Sequence, residues 1–137
     1  MRSLQANREA ARPHPHPDWF SGKVWFQELE VSDDQHGLEI IAVFFDAGAR
    51  TMPHTHATEQ LLYFLEGEGV VGVEGARSRY RPGGMAVIPS NTWHWHGATP
   101  AGPMTHLSIR PGGPSVWAPE VPMLDWDSYM DGVIEDG

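Results

Sequence analysis

Three histidines and a glutamine stand in this chain at spacings that suit a metal ion. One run, Gly48-x5-His54-x-His56-x3-Gln60-x6-Gly67, is followed by a second, Gly83-x5-Pro89-x-Asn91-x2-His94. Neutral imidazole nitrogen binds Mn, Zn, Fe, Ni or Cu(II), and the residue types alone do not choose among them. A single His-x-His pair is weak evidence, because an isolated histidine more often serves as a hydrogen-bonded core residue. Two runs, each flanked by turn glycines, favour a ligand set. Alternate residues of a strand share a face, so His54 and His56 point one way, and so do His94 and His96. If both pairs point inward, one barrel mouth gathers up to four imidazoles. Glu59 competes with Gln60 for the fourth ligand position, but counting back seven residues from Gly67 selects Gln60. Three imidazoles and an amide leave the full +2 charge on a bound ion. That favours Lewis-acid chemistry and leans away from chemistry that passes through Fe(III).

The surrounding elements must position these groups. At 137 residues, the chain is long enough for one domain with one core. Fifteen glycines and twelve prolines point to many turns and short strands. Aromatic and β-branched runs predict strands over 24–29, 38–45, 60–66, 70–73, 85–89 and 105–110, with an edge strand at 78–81 and one short helix near Asp125–Met130. Such a series with almost no helix predicts an all-β barrel or sandwich. Residues 1–17, punctuated by Pro13, Pro15 and Pro17, read as a flexible N-terminal arm. The domain then runs over 18–137, with a short C-terminal tail from about 111. Trp19, Trp25, Trp93 and Trp95 read as core or interface anchors.

Several function classes are set aside by composition. There is no cysteine, hence no thiolate ligand, disulfide or cysteine nucleophile, and Lys23 is the only lysine. A net charge of −9 argues against nucleic acid or an anionic membrane as partner. No stretch approaches the roughly 18 apolar residues of a membrane span, and Met1–Arg12 has no apolar signal core, so a cytoplasmic location is expected. A homodimer or higher homo-oligomer is expected as well, because a small sheet protein must cover its edges.

The two runs resemble the motifs of the cupin superfamily, matching them at Gly48, His54, His56 and Gly67 and at Gly83, Pro89 and His94. The chain departs from them at Gln60 (usually Glu), Asn91 (usually Gly) and Ala98 (usually Asn). The resemblance covers roughly 22–110 and implies a single jelly-roll-like β-barrel holding one divalent metal through His54, His56, position 60 and His94. Further stretches, Asp18–Gly22, Gly48–Thr51, His94–Ala98 and Met104–Leu107, resemble small manganese-dependent cupins that act as hydroxynitrile (mandelonitrile) lyases. That resemblance implies a three-histidine, one-glutamine ligand set with manganese foremost and Zn, Fe or Ni as alternatives. It also implies that a cyanohydrin is cleaved to an aldehyde and hydrogen cyanide, or formed in reverse, while a histidine carries the proton. His106, in phase with Met104 and Ser108, and His96 are the candidates for that proton transfer. A small-molecule pocket is expected from Thr51, Ile41, Val43, Leu62, Phe64 and Arg110. Two rival readings use the same site: an Fe(II)-dependent cupin dioxygenase, and a non-enzymatic protein that binds a metal or small ligand.

Overall fold

Alternating burial builds the scaffold strand by strand. The computed structural model describes residues 1–137. In chain order its strands are β1 (Arg12–Pro13), β2 (Phe20–Ser21), β3 (Val24–Glu30), β4 (Leu38–Phe45), β5 (Arg50–Thr51), β6 (His54–His56) and β7 (Gln60–Glu66). They continue with β8 (Gly69–Val73), β9 (Ala76–Tyr80), β10 (Met85–Ile88), β11 (Trp95–Ala98), β12 (Met104–Pro111), β13 (Ser115–Trp117) and β14 (Val133–Asp136). One helix, α1 (Trp126–Met130), begins at Asp125, whose carboxylate accepts the Asp127 amide.

The strands form two six-stranded sheets, β1-β3-β4-β12-β7-β10 and β14-β9-β8-β11-β5-β2, with β13 and β6 as a separate pair. The sheets face each other as a jelly roll. Val24, Val43, Phe45, Leu62, Phe64, Ile88 and Met104 from the first meet Val71 and Ala98 from the second in one apolar core. Along β7, Gln60, Leu62 and Phe64 are buried; along β12, Met104, His106, Ser108 and Arg110 are. The period of two thus sends polar and apolar side chains from the same strands into one interior.

The ends of the chain pack against this body. The arm expected to be flexible is docked: Arg12 and Pro13 pair with Phe26 and Trp25, and the guanidinium groups of Arg8 and Arg12 lie over the rings of Trp25 and Phe26. The tail crosses the second sheet, where β14 pairs in parallel with β9 and the Trp95 indole donates to the Tyr129 carbonyl. That cover explains why β8 and β11 are buried along nearly their whole length. On edge strand β10, Met85 and Val87 remain more than half exposed.

Asn91 is the only non-glycine residue with a positive φ, 58°. Asparagine tolerates that left-handed conformation better than other side chains. It therefore stands where the resembling motif has glycine without changing the turn, and its amide donates to the His56 carbonyl at 2.7 Å.

Gly72 on β8 lies under the Trp95 indole, and a methyl group there would fall within the ring. We expect Gly72→Ala to lower the unfolding free energy by about 1–3 kcal/mol through overpacking. Urea unfolding read with near-UV circular dichroism of the tryptophans checks this; an unchanged midpoint would mean the indole is free to move.

Candidate metal centre

The three histidines reach one point by backbone pairing. His54 and His56 face inward together from β6, and an isolated antiparallel bridge joins His54 to His94, with amide-to-carbonyl bonds of 2.9 and 3.1 Å. All three are buried, and one potential ligand atom from each lies within 4.8 Å of the others. Gln60 enters from the start of β7. Glu59 is exposed, so the amide of Gln60 and not the Glu59 carboxylate lies beside the imidazoles.

Hydrogen bonds aim the donor atoms. The Nδ1–H of His54 donates to the Met52 carbonyl at 2.8 Å, and that of His94 donates to the Thr92 carbonyl at 2.8 Å. His56 Nδ1 is 2.6 Å from Ser115 Oγ. His54 and His94 therefore keep an Nε2 lone pair, the form a metal ligand needs, and His56 does so when the Ser115 hydroxyl accepts its Nδ1–H. Gln60 Nε2 donates to Ser108 Oγ at 2.8 Å, which turns the amide oxygen Oε1 toward His94 Nε2 at 3.1 Å. Two acceptors therefore face each other with no proton between them, and His56 Nε2 is buried with no partner at all. A divalent cation satisfies these atoms together. The donor set fits such an ion.

Burial keeps these imidazoles neutral. Loss of solvation is the largest cause in every case: it lowers His94 to about 4 and His56 to about 2, the latter aided by Arg110, and holds His54 well below 6.5.

Beside the cluster lies a cavity of about 340 Å³. Of the residues expected at a pocket, Thr51, Ile41, Val43 and Arg110 line it, together with His96. Leu62 and Phe64 do not; they sit wholly inside the apolar core, where Phe64 stacks on Tyr80 at 4.9 Å. They share a face with Gln60, but each two residues along a strand advance about 6.6 Å, which carries them past the cavity. His106 is also set back from the cavity wall. It lies behind His96, with its Nε2 2.9 Å from His96 Nδ1. His96 Nε2 is therefore the free end of the dyad, buried and without a partner. Burial, with His106 and His54 adding, holds His96 well below its usual value, and burial lowers His106 to about 3.

The sequence reading missed part of the wall. Trp19, Phe20, His14, Glu39, Ser108, Ser115 and Trp117 all face the cavity. Glu39 and Ser108 were recoverable, since they are in phase with Ile41 and with His106. Glu39 pairs with Arg110 at 3.2 Å, so the guanidinium in the wall is neutralised from within the chain; burial raises the carboxyl while Arg110 lowers it. Trp19, read as a core or interface anchor, is instead stacked on Trp117 at the mouth. Nothing in the spacing of the tail signals that Trp117 returns to His54.

Comparisons with known proteins agree with this geometry. The cupin domain family matches residues 42–110. The chain is 38% identical over 94 residues to an (R)-mandelonitrile lyase of Granulicella tundricola, covering 68% of this chain and 72% of that protein. A cupin-like protein of Thermotoga maritima superposes with a TM-score of 0.67 at 34% identity, covering 73% of this chain and 79% of the other. The polyketide cyclase RemF of Streptomyces resistomycificus shares the fold alone, with a TM-score of 0.69 at 19% identity over 93% of this chain and 91% of its own.

Two outcomes follow for the isolated protein. Gln60→Ala should weaken divalent-ion uptake by roughly tenfold or more, while Glu59→Ala leaves it unchanged; equilibrium dialysis distinguishes them. The five imidazoles His54, His56, His94, His96 and His106 are all held below 6.5 in the folded state, so the unfolded chain takes up protons first as pH falls. Stability of the metal-free protein should be flat above about pH 7 and fall steadily from 6.5 toward 4. A thermal midpoint that does not move between pH 7 and 5 would contradict buried, neutral histidines.

Proposed function

The chain belongs to the cupin domain family, and from that premise we propose that it is a metal-dependent lyase that cleaves a neutral aromatic cyanohydrin to an aldehyde and hydrogen cyanide. One observation carries the reading. The three-histidine, one-glutamine cluster stands beside a second histidine pair, of which His96 lines the same cavity, in a chain 38% identical to a mandelonitrile lyase. A divalent ion held by His54, His56, Gln60 and His94 would supply Lewis acidity toward a substrate oxygen or cyanide, undiminished by any carboxylate ligand. An amide oxygen among imidazoles is compatible with manganese, and also with zinc, iron or nickel.

The chain's own groups account for the proton. His96 is neutral, so its Nε2 takes the hydroxyl proton of the cyanohydrin as the carbon–carbon bond to the nitrile breaks. The bonding pair leaves with cyanide, the carbonyl forms, and the imidazolium returns the proton to cyanide as hydrogen cyanide. His106 Nε2 lies 2.9 Å from His96 Nδ1, and with the His96 hydrogen on Nδ1 it would accept there and leave His96 Nε2 free. Thr51 Oγ1 accepts the His96 amide at 3.1 Å, which leaves its hydroxyl hydrogen for the substrate oxygen. Ile41, Val43, Phe20 and Trp117 offer an apolar seat for the aromatic ring. The Glu39–Arg110 pair leaves no free cation in the wall, which favours an uncharged substrate.

Mandelonitrile cleavage by manganese-loaded protein, followed as benzaldehyde release, tests the reading. Chelation should abolish the activity and manganese restore it. His96→Ala should lower kcat about 10²–10⁴-fold with little change in KM. Iron-dependent oxygen uptake without cleavage would move the site to the oxygenase reading; neither activity, with metal bound, would leave a binding protein.

A further inference from the structure

Beyond the family-matched residues 42–110, strand β13 reaches back to the ligand histidines. Backbone pairing sets Ser115 opposite His56 and Trp117 opposite His54. Both ends of the pairing are fixed, since the Ala57 amide donates to the Pro114 carbonyl at 3.0 Å and the Ala118 amide to the Pro53 carbonyl at 2.7 Å. Trp117 lies flat on the His54 ring, with centroids 4.0 Å apart and planes at 17°. It is stacked in turn on Trp19 at 4.5 Å and 7°, and Trp19 on His16 at 4.0 Å and 15°. A run of four rings therefore leads from the N-terminal arm, through the tail, to a ligand.

The three ligand histidines differ in what holds Nδ1. Those of His54 and His94 donate to carbonyls two residues away, within their own segments. His56 has no such local acceptor. Its Nδ1 partner is Ser115 Oγ, 59 residues further along the chain. The Arg110 guanidinium, which can only donate, also donates to that oxygen at 3.4 Å and is itself held by Glu39. Ser115 Oγ has a second lone pair for the His56 Nδ1–H. Nε2 then keeps its lone pair toward the site.

We infer that β13 is a strap that positions the His-x-His pair, Ser115 fixing the tautomer of His56 and Trp117 the ring plane of His54, so that divalent-ion affinity depends on a segment outside the family domain. The inference rests on the cluster being a metal centre and is independent of lyase activity.

Titration of metal-free protein with Mn²⁺ alone, with the free ion followed by electron paramagnetic resonance, tests it. Ser115→Ala should weaken binding about 10–100-fold, as loss of a ligand's outer hydrogen bond does, and Ser115→Thr, which keeps the hydroxyl, should stay within about threefold of the unmodified chain. The His56 Nδ1 nitrogen resonance should leave its protonated position in Ser115→Ala alone. Trp117→Leu should weaken binding and Trp117→Phe restore most of it; if the leucine variant does not fold, the serine pair decides. Binding by Ser115→Ala within about twofold of the unmodified chain, or a threonine variant as weak as alanine, overturns the strap. An unmodified chain that takes up no Mn²⁺ overturns the metal reading itself.

Discussion

The site depends on keeping imidazole neutral where burial strips away most of its water. Five histidine rings lie within one small region, and burial is the largest cause lowering each of them. Protonating any one would place an unpaired charge beside the others. The ring hydrogens of His54 and His94 go to carbonyls of the loops that carry them, while the Ser115 hydroxyl and His106 stand within hydrogen-bond reach of His56 and His96, and His106 Nδ1 stays buried without a partner. What remains is a set of lone pairs aimed at one another, Gln60 Oε1 among them. Such an arrangement is repulsive by itself and cohesive around a cation. The surrounding elements can be understood as the means of holding it.

Much of this was legible in the residues because it obeys periods. The strand runs over 38–45, 60–66 and 105–110 and the inward pairs His54/His56 and His94/His96 follow from composition and alternation along strands, and the spacing from Gly67 singles out Gln60, which is buried where Glu59 is exposed. Alternation tells which face a side chain takes but not how deep it sits. That is why Leu62 and Phe64 lie in the core when the sequence suggested the pocket, and why His106 stands behind His96. The contributions of Trp19, Ser115 and Trp117 come from pairings between distant segments, for which neither spacing nor propensity leaves a mark. The arm, whose prolines suggest mobility, is likewise held by contacts that local sequence does not announce: cation–π pairs and two residues of strand pairing.

The cavity wall combines features that a small uncharged ligand needs. Aromatic and aliphatic surface from the arm, β4 and the tail faces the same space as Thr51 and His96, while the one guanidinium in the wall is already paired. Polar side chains outnumber apolar ones around the cavity, with His54, His56 and Gln60 of the candidate ligand set among them. Family membership supplies the barrel and its ligand motifs; the two ends of the chain add His14, Trp19, Phe20, Ser115 and Trp117 to the wall.

The pairing of β13 with β6 also bears on how the protein is made. His54 and His56 leave the ribosome well before the tail strand that completes their surroundings, the His56–Ser115 contact alone spanning 59 residues. Through that interval both rings are open to solvent and to whatever ion is at hand. A site completed by that strap would be assembled only at the last stage of synthesis or later, once the C-terminal segment has emerged and closed over the pair. The ion such a site took up would then be set partly by the ions available at that moment, and not by ligand chemistry alone.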